Sequence, residues 1–274
     1  MSDDFHKQAL SFGGVSDAYD RARPSYPAEA VRWLAGSGSS VILELGAGTG
    51  KLTELLVDAG HETAATDPDS AMLQHLRHRT PKAHAVLASA EHIPMPSRSV
   101  DRVVCAQSFH WFDHDLALPE IARVLRPGGV LALVWNMRDE AIPWVKRLGQ
   151  IIGTHDRITG QIEPLRQSPD FGRVEERTFR FWQSLTRSSL TELVSSRSNV
   201  AVLSAEERES VLTRVGELYD EYGRGHDGML LPYLTHCYRA VVHHQEPPPP
   251  DPEQPPQARR PDDPDTDALL IDFH

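Results

Sequence analysis

Cysteine is scarce: Cys105 and Cys237 are the two in a chain of 274 residues. That count leaves no disulfide scaffold and no cysteine-built zinc site, and both thiols fall in apolar stretches that suit reduced, packed side chains. Basic charge is short too, with 28 Lys and Arg against 39 Asp and Glu and a net charge of -11. Such a balance lacks the basic cluster that a nucleic-acid backbone requires. No apolar run approaches the roughly 20 residues that cross a bilayer. The opening stretch, MSDDFHKQALSFGG, has early acids and no apolar centre, so it does not read as a secretion signal. These absences point to the cytoplasm, with neither a membrane nor a nucleic acid as partner. No metal is expected. His75 and His78 sit among arginines on a helical stretch, and His243 and His244 would point to opposite faces of a strand.

What is present alternates. VILEL (41–45), ETAATD (62–67), AHAVLAS (83–89), VDRVVCA (100–106) and VLALVWN (130–136) read as strands. Between them, 50–60, 69–79 with Asp69 as cap, and 116–129 closed by Pro127, Gly128 and Gly129 read as helices. Strand and helix in turn mean a mostly parallel sheet with helices on both faces. The second half is less regular. It yields a helix over 139–155, a strand over 174–185, helices near 186–197 and 204–224, and a last strand over 229–243. Pro232 in that strand suggests an edge or a bulge. From Glu246 the chain turns proline-rich and acidic, with eight acids against two arginines. A segment of that composition cannot build a core and is expected to be disordered. Residues 1–244 are therefore read as one domain and 245–274 as a tail, whose closing DALLIDFH is a candidate docking motif for a weak partner.

The informative stretch is VILELGAGTGKLTELL (41–56). A Walker-type loop needs Gly, four residues, then Gly-Lys-Ser/Thr; here Leu45 and Leu52 break both requirements. A dinucleotide loop needs a third glycine where this chain has Lys51, whose bulk opposes close helix–strand packing. A third ligand, S-adenosylmethionine (SAM), carries no phosphate. The turn Gly46-Ala47-Gly48-Thr49-Gly50 lets backbone approach its methionyl and ribose parts, and Glu44 suits a cation better than a pyrophosphate.

The stretch LELGAGTG resembles the first motif of class I SAM-dependent methyltransferases, and the resemblance runs from about Tyr19 to Tyr238. It implies a Rossmann-like, seven-stranded, mostly parallel sheet with the last strand antiparallel, and SAM as cofactor. Asp67, ending the second strand, would take the ribose hydroxyls. SAEHIP (89–94) resembles the segment beside the adenine. The usual aspartate is missing there, so Ser89 or Glu91 meets the adenine amine, or backbone around Ala90 does. LRPGGVLAL (125–133) resembles the helix–turn–strand signature of the family. CAQSFHWFD (105–113) resembles a small-molecule branch that includes trans-aconitate-like and ubiquinone-biosynthesis-like enzymes. In that branch Gln107 would lie under the cofactor, and His110, Trp111 and Phe112 would face the acceptor. Residues 1–40 would form a lid, with Tyr19 and Arg21 or Arg23 closing over the methionyl carboxylate. Trp135 and Asn136 are further acceptor candidates. His110 is the candidate catalytic group: a base for a hydroxyl acceptor, an orienting group for a carboxylate. The expected reaction is O-methylation of a small carboxylate or hydroxyl compound. Its rivals are a non-catalytic module working through the tail and a nicotinamide oxidoreductase.

Overall fold

A computed structural model describes residues 23–153, 160–223 and 228–243. Tyr19, Arg21 and everything expected of the tail lie outside the described residues. The elements run α1 (Ala28–Ala35), β1 (Val41–Leu45), α2 (Lys51–Asp58), β2 (Glu62–Asp67), α3 (Ser70–Arg79), β3 (His84–Leu87), β4 (Val100–Ala106), α4 (His114–Val124) and β5 (Leu125–Arg138). They continue with α5 (Pro143–Ile152), α6 (Glu163–Gln167), β6 (Glu175–Leu185), α7 (Arg187–Ser195), α8 (Ser198–Ala201), α9 (Ala205–Tyr222) and β7 (Met229–Val241). A short 3-10 turn, Phe109–Trp111, follows β4.

The strands form one seven-stranded sheet in the order β3-β2-β1-β4-β5-β7-β6. Neighbours from β3 to β5 pair in parallel, and β7 runs antiparallel to both β5 and β6. The chain first builds outward from β1 to β3. It then returns to lay β4 on the other side of β1, so direction reverses between β1 and β4. In an open sheet that point leaves a crevice beyond the carboxyl ends of the strands.

Side-chain alternation assigns the two faces. Along β1, Leu43 and Leu45 pack with α4, while Ile42 packs with α1 and α2. Ala64 and Ala65 of β2 divide the same way, the latter meeting Leu73 and Leu76 of α3. Helices α5, α7 and α9 make a separate apolar cluster over the first half of β7, around Leu231 and Tyr233. Helix α1 belongs to the core: Ala30, Leu34 and Ala35 are fully buried. Of the expected lid 1–40, only Arg23 to Pro27 runs as a described strap before that helix.

Several expected boundaries move. The helix expected over 116–129 ends at Val124, and Leu125 is already extended at φ -71°, ψ 137°. Pro127 explains this, because its ring disfavours a helical Arg126. Strand β5 therefore starts five residues early, and it continues to Arg138. The helix expected over 139–155 begins at Pro143, which occupies the first turn where no N–H is needed. Pro232 is not at an edge, since β7 lies between β5 and β6. Its carbonyl accepts from the Asp139 N–H at 3.0 Å, past the end of β5. A strand residue directs N–H and C=O the same way, so the missing N–H points where the ladder has already finished.

Candidate active site

The site is built from the turn after β1. Gly46, Gly48 and Gly50 all take positive φ, at 65°, 56° and 83°. At Gly46 a side chain is excluded twice, because a Cβ would also sit 2.5 Å from the Ser108 Cβ. At Gly48 a Cβ would meet nothing within 4 Å, so this backbone faces open space. The Ala47 N–H donates to the Thr66 carbonyl at 3.0 Å and ties the turn to β2.

Asp67 completes the turn. Its Oδ2 accepts from the Gly48 N–H at 2.8 Å and its Oδ1 from the Asp69 N–H at 2.9 Å. Burial raises the Asp67 carboxyl above the usual carboxylate range, and these two bonds pull the other way. The carboxylate is thus a fixed pair of acceptors beside the glycine turn. Asp69 in turn caps α3, accepting from the N–H groups of Ala71 and Met72.

Glu44 lies on the far side of that turn. It is 1 % exposed, and its Oε2 accepts from the Thr53 hydroxyl of α2 at 2.6 Å. Burial, above all, pushes its pKa up to about 8, so at neutral pH it is chiefly the uncharged acid. The expected negative charge beside the turn is therefore largely absent from the described chain. Glu91 is also engaged: its Oε1 accepts from the Asp113 N–H at 2.9 Å and links the 89–94 segment to the cap of α4. Ala90 is buried, and the Ser89 carbonyl accepts from the His92 N–H.

The second wall follows β4. Gln107 sits at φ 61°, a left-handed conformation unusual outside glycine, held by its N–H donating to the Val134 carbonyl at 2.9 Å. The Ser108 hydroxyl donates to the Leu45 carbonyl at 2.7 Å, clamping this turn against β1. Nothing in a single sequence marks that serine. It was missed because its role is defined by a strand 63 positions away. Phe112 packs toward the core, edge-on to the buried Phe109. His110 lies against Trp111, with ring centroids 4.8 Å apart.

A cavity of about 240 Å³ opens here, and Gln107, His110 and Trp135 line it together with Arg23, Gln161 and Arg197. The Trp135 Nε1 and the His110 Nδ1 are buried without a hydrogen-bond partner among the described residues. Burial first, and the charge of His114 second, lower the His110 pKa to about 4, so its ring is neutral at physiological pH. Asn136 borders the same cavity but uses both ends of its amide on the protein. Its Nδ2 donates to the Ser25 carbonyl at 2.9 Å, and its Oδ1 accepts from the Thr235 hydroxyl at 2.6 Å.

A glycine turn and an acid at the topological switch point can hold a nucleoside without a pyrophosphate. The comparisons agree. Residues 43–133 match a methyltransferase domain family. An uncharacterised methyltransferase of Mycobacterium tuberculosis is 44 % identical over 241 residues, covering 85 % of this chain and 96 % of that one. The chain belongs to the class I SAM-dependent methyltransferases. This methyltransferase is also 32 % identical over 157 residues to a trans-aconitate 2-methyltransferase of Paracidovorax citrulli, covering 52 % of this chain and 60 % of that one. Its fold is similar to that of phosphoethanolamine N-methyltransferase 2 of Haemonchus contortus, solved with SAM. The TM-score there is 0.53 at 15 % identity, over 87 % of this chain and 59 % of that one. SAM is the cofactor of this methyltransferase. The nicotinamide reading is excluded by the family, and Lys51 gives the physical reason. Where a dinucleotide fold packs a glycine, the Lys51 side chain runs to the Arg23 carbonyl, with Nζ at 2.8 Å. Among the described residues no helix is long and apolar enough to cross a membrane.

Proposed function

We propose that this methyltransferase moves the SAM methyl group to an oxygen of a small anionic acceptor, with a carboxylate as first choice and a hydroxyl as second. The observation that carries the proposal is the cavity beside Gln107. It is small, it is bordered by Arg23 and Arg197, and Gln107, His110 and Trp135 line it with them. Guanidinium groups at the wall of a small cavity suit an anionic ligand, because charge-assisted bonds to a carboxylate are the strong ones. The volume fits a small molecule better than a peptide or a nucleic acid. The relative named for trans-aconitate, a polycarboxylate, supports the same reading.

In this proposal the turn from Gly46 to Gly50 lies along the methionyl and ribose parts of SAM, and Asp67 accepts from the ribose hydroxyls. Ser89, Ala90 and Glu91 border the adenine, and Gln107 lies beneath the sulfonium. Tyr19 would close the site from outside the described residues. Glu44 acts from behind the turn, through Thr53. Trp111, against His110, shapes the acceptor side, and Phe112 backs it from the core. The sulfonium is already a strong electrophile, so the main task is alignment of acceptor oxygen and methyl, a term that can supply about 7–11 kcal/mol of the barrier. A carboxylate acceptor needs no base, and His110 then orients it as a neutral ring. The test is a panel of small di- and tricarboxylates and matched alcohols with methyl-labelled SAM. Base-labile methyl esters are expected; label found solely on nitrogen, or as base-stable ethers, would overturn the carboxylate reading.

A further inference from the structure

The strap from Arg23 to Tyr26 is held across the crevice by two side chains that come from opposite sides of it. Lys51, the first residue of α2 and next to Gly50, donates from Nζ to the Arg23 carbonyl at 2.8 Å. Asn136, near the end of β5, donates from Nδ2 to the Ser25 carbonyl at 2.9 Å. One bond ties the strap to the cofactor turn and the other to the acceptor wall. Between the two tethers, Arg23 and Pro24 border the cavity, and Arg23 Nη2 reaches toward the Ser196 carbonyl after α7 at 3.5 Å. Tyr26 is half-buried against the cluster of α1 and α2, which fixes the strap's far end. Pro24 and Pro27 restrict the backbone on either side of Ser25, so the segment between them turns as a stiff unit.

The amide of Asn136 is itself aimed. The Thr235 hydroxyl of β7, fully buried, donates to its Oδ1 at 2.6 Å. That bond leaves the NH2 end to face Ser25. A flipped amide would set two oxygens against each other at the strap. Thr235 thus selects the orientation in which Asn136 can hold the strap at all.

We propose that Lys51 and Asn136, the latter set by Thr235, are positioning residues that latch the Arg23–Tyr26 strap over the crevice and thereby set how fast cofactor and its product, S-adenosylhomocysteine, enter and leave. The inference depends on the family and not on which acceptor is used. Both latches bond to protein carbonyls, so they favour the latched strap equally whether or not the crevice is filled. A contact with no differential affinity shifts rates of exchange without shifting the binding constant.

The experiment measures association and dissociation of S-adenosylhomocysteine by stopped-flow fluorescence on the full chain and on four variants. Lys51→Met, Asn136→Ala and Thr235→Val are each expected to raise both rates by about tenfold, the size expected for one net hydrogen bond, with the dissociation constant within about threefold. Lys51→Arg, which keeps a donor at that position, is expected to stay near the parent rates. A purely structural role would lower the melting temperature and the active fraction without raising either rate. Unchanged rates, or weaker binding through faster dissociation alone, would overturn the proposal. If Asn136→Ala fails to fold, Lys51→Met at its partly exposed site decides the question by the same two rates.

Discussion

At the scale of single residues, Asp67 and His110 show how partners change what a side chain does. Asp67 supports the Gly48 turn and caps its own loop, so removing it does two kinds of damage. Asp67→Ala is expected to weaken SAM by roughly tenfold or more, since each charge-assisted bond is worth about 1.5–3 kcal/mol. Asp67→Asn keeps one acceptor oxygen and should lose less. Isothermal titration with SAM gives both numbers; equal loss in the two variants would mean that the turn, not the ribose, is what Asp67 serves. Burial first, and the charge of His114 second, keep the neutral ring of His110 favoured down to about pH 4. With a carboxylate acceptor, kcat/KM is therefore expected to stay flat from pH 5 to 8 as far as this group is concerned. A titration near 6.5 that disappears in His110→Ala would place the imidazole in a far wetter setting than the one described.

At the scale of elements, the unit is β1, its glycine turn and α2, closed from the other side by the turn after β4. Gly46 and Ser108 are in such close approach that neither can grow. Gly46→Ala is expected to cost about 1–2 kcal/mol for the left-handed backbone alone, with the clash added to it. The expected result is a melting temperature lower by several degrees and SAM binding reduced by at least tenfold. Gly46→Ala combined with Ser108→Gly relieves the clash but keeps the backbone strain and removes the bond to the Leu45 carbonyl, so little recovery of the melting temperature is expected. Full recovery would show that φ at Gly46 relaxes freely. The same element pair explains why Glu44 is tolerated in a buried strand: Thr53, nine residues later on α2, supplies a hydrogen bond that either the protonated or the ionised carboxyl can accept.

At the scale of the whole molecule, Glu44 links the glycine turn to global stability. Its folded pKa of about 8 lies above the ordinary 4.5. Between those values the folded chain keeps a proton that the unfolded chain releases, so this group's contribution is full below about pH 4.5. It is then lost progressively up to about pH 8, with a slope of at most about 1.4 kcal/mol per pH unit. Glu44→Gln removes the titration and keeps an acceptor for Thr53. The difference in melting temperature between the variant and the parent is expected to grow from pH 5 to pH 8 in favour of the glutamine. A difference that does not vary with pH would show that Glu44 is ionised in the folded chain.

The sequence by itself determined the local pieces. Alternating periodicity set the strands and helices and Asp69 placed a cap, while Pro127 and Pro143 fix helix ends that periodicity alone puts at 129 and 139. The glycine turn was legible because three positive φ angles leave little choice of residue, and Lys51 alone argued against a dinucleotide. What only the tertiary structure decided is the meeting of residues far apart in the chain. The reversal of strand order between β1 and β4 brings Ser108 onto Leu45, and the insertion of β7 beside β5 brings Thr235 onto Asn136. Periodicity reports which face a residue takes, but strand order is set by how whole layers bury their faces, and no local pattern carries that information. For the same reason Asn136 reads as an acceptor contact in the sequence and as a tether for the Ser25 carbonyl in the fold.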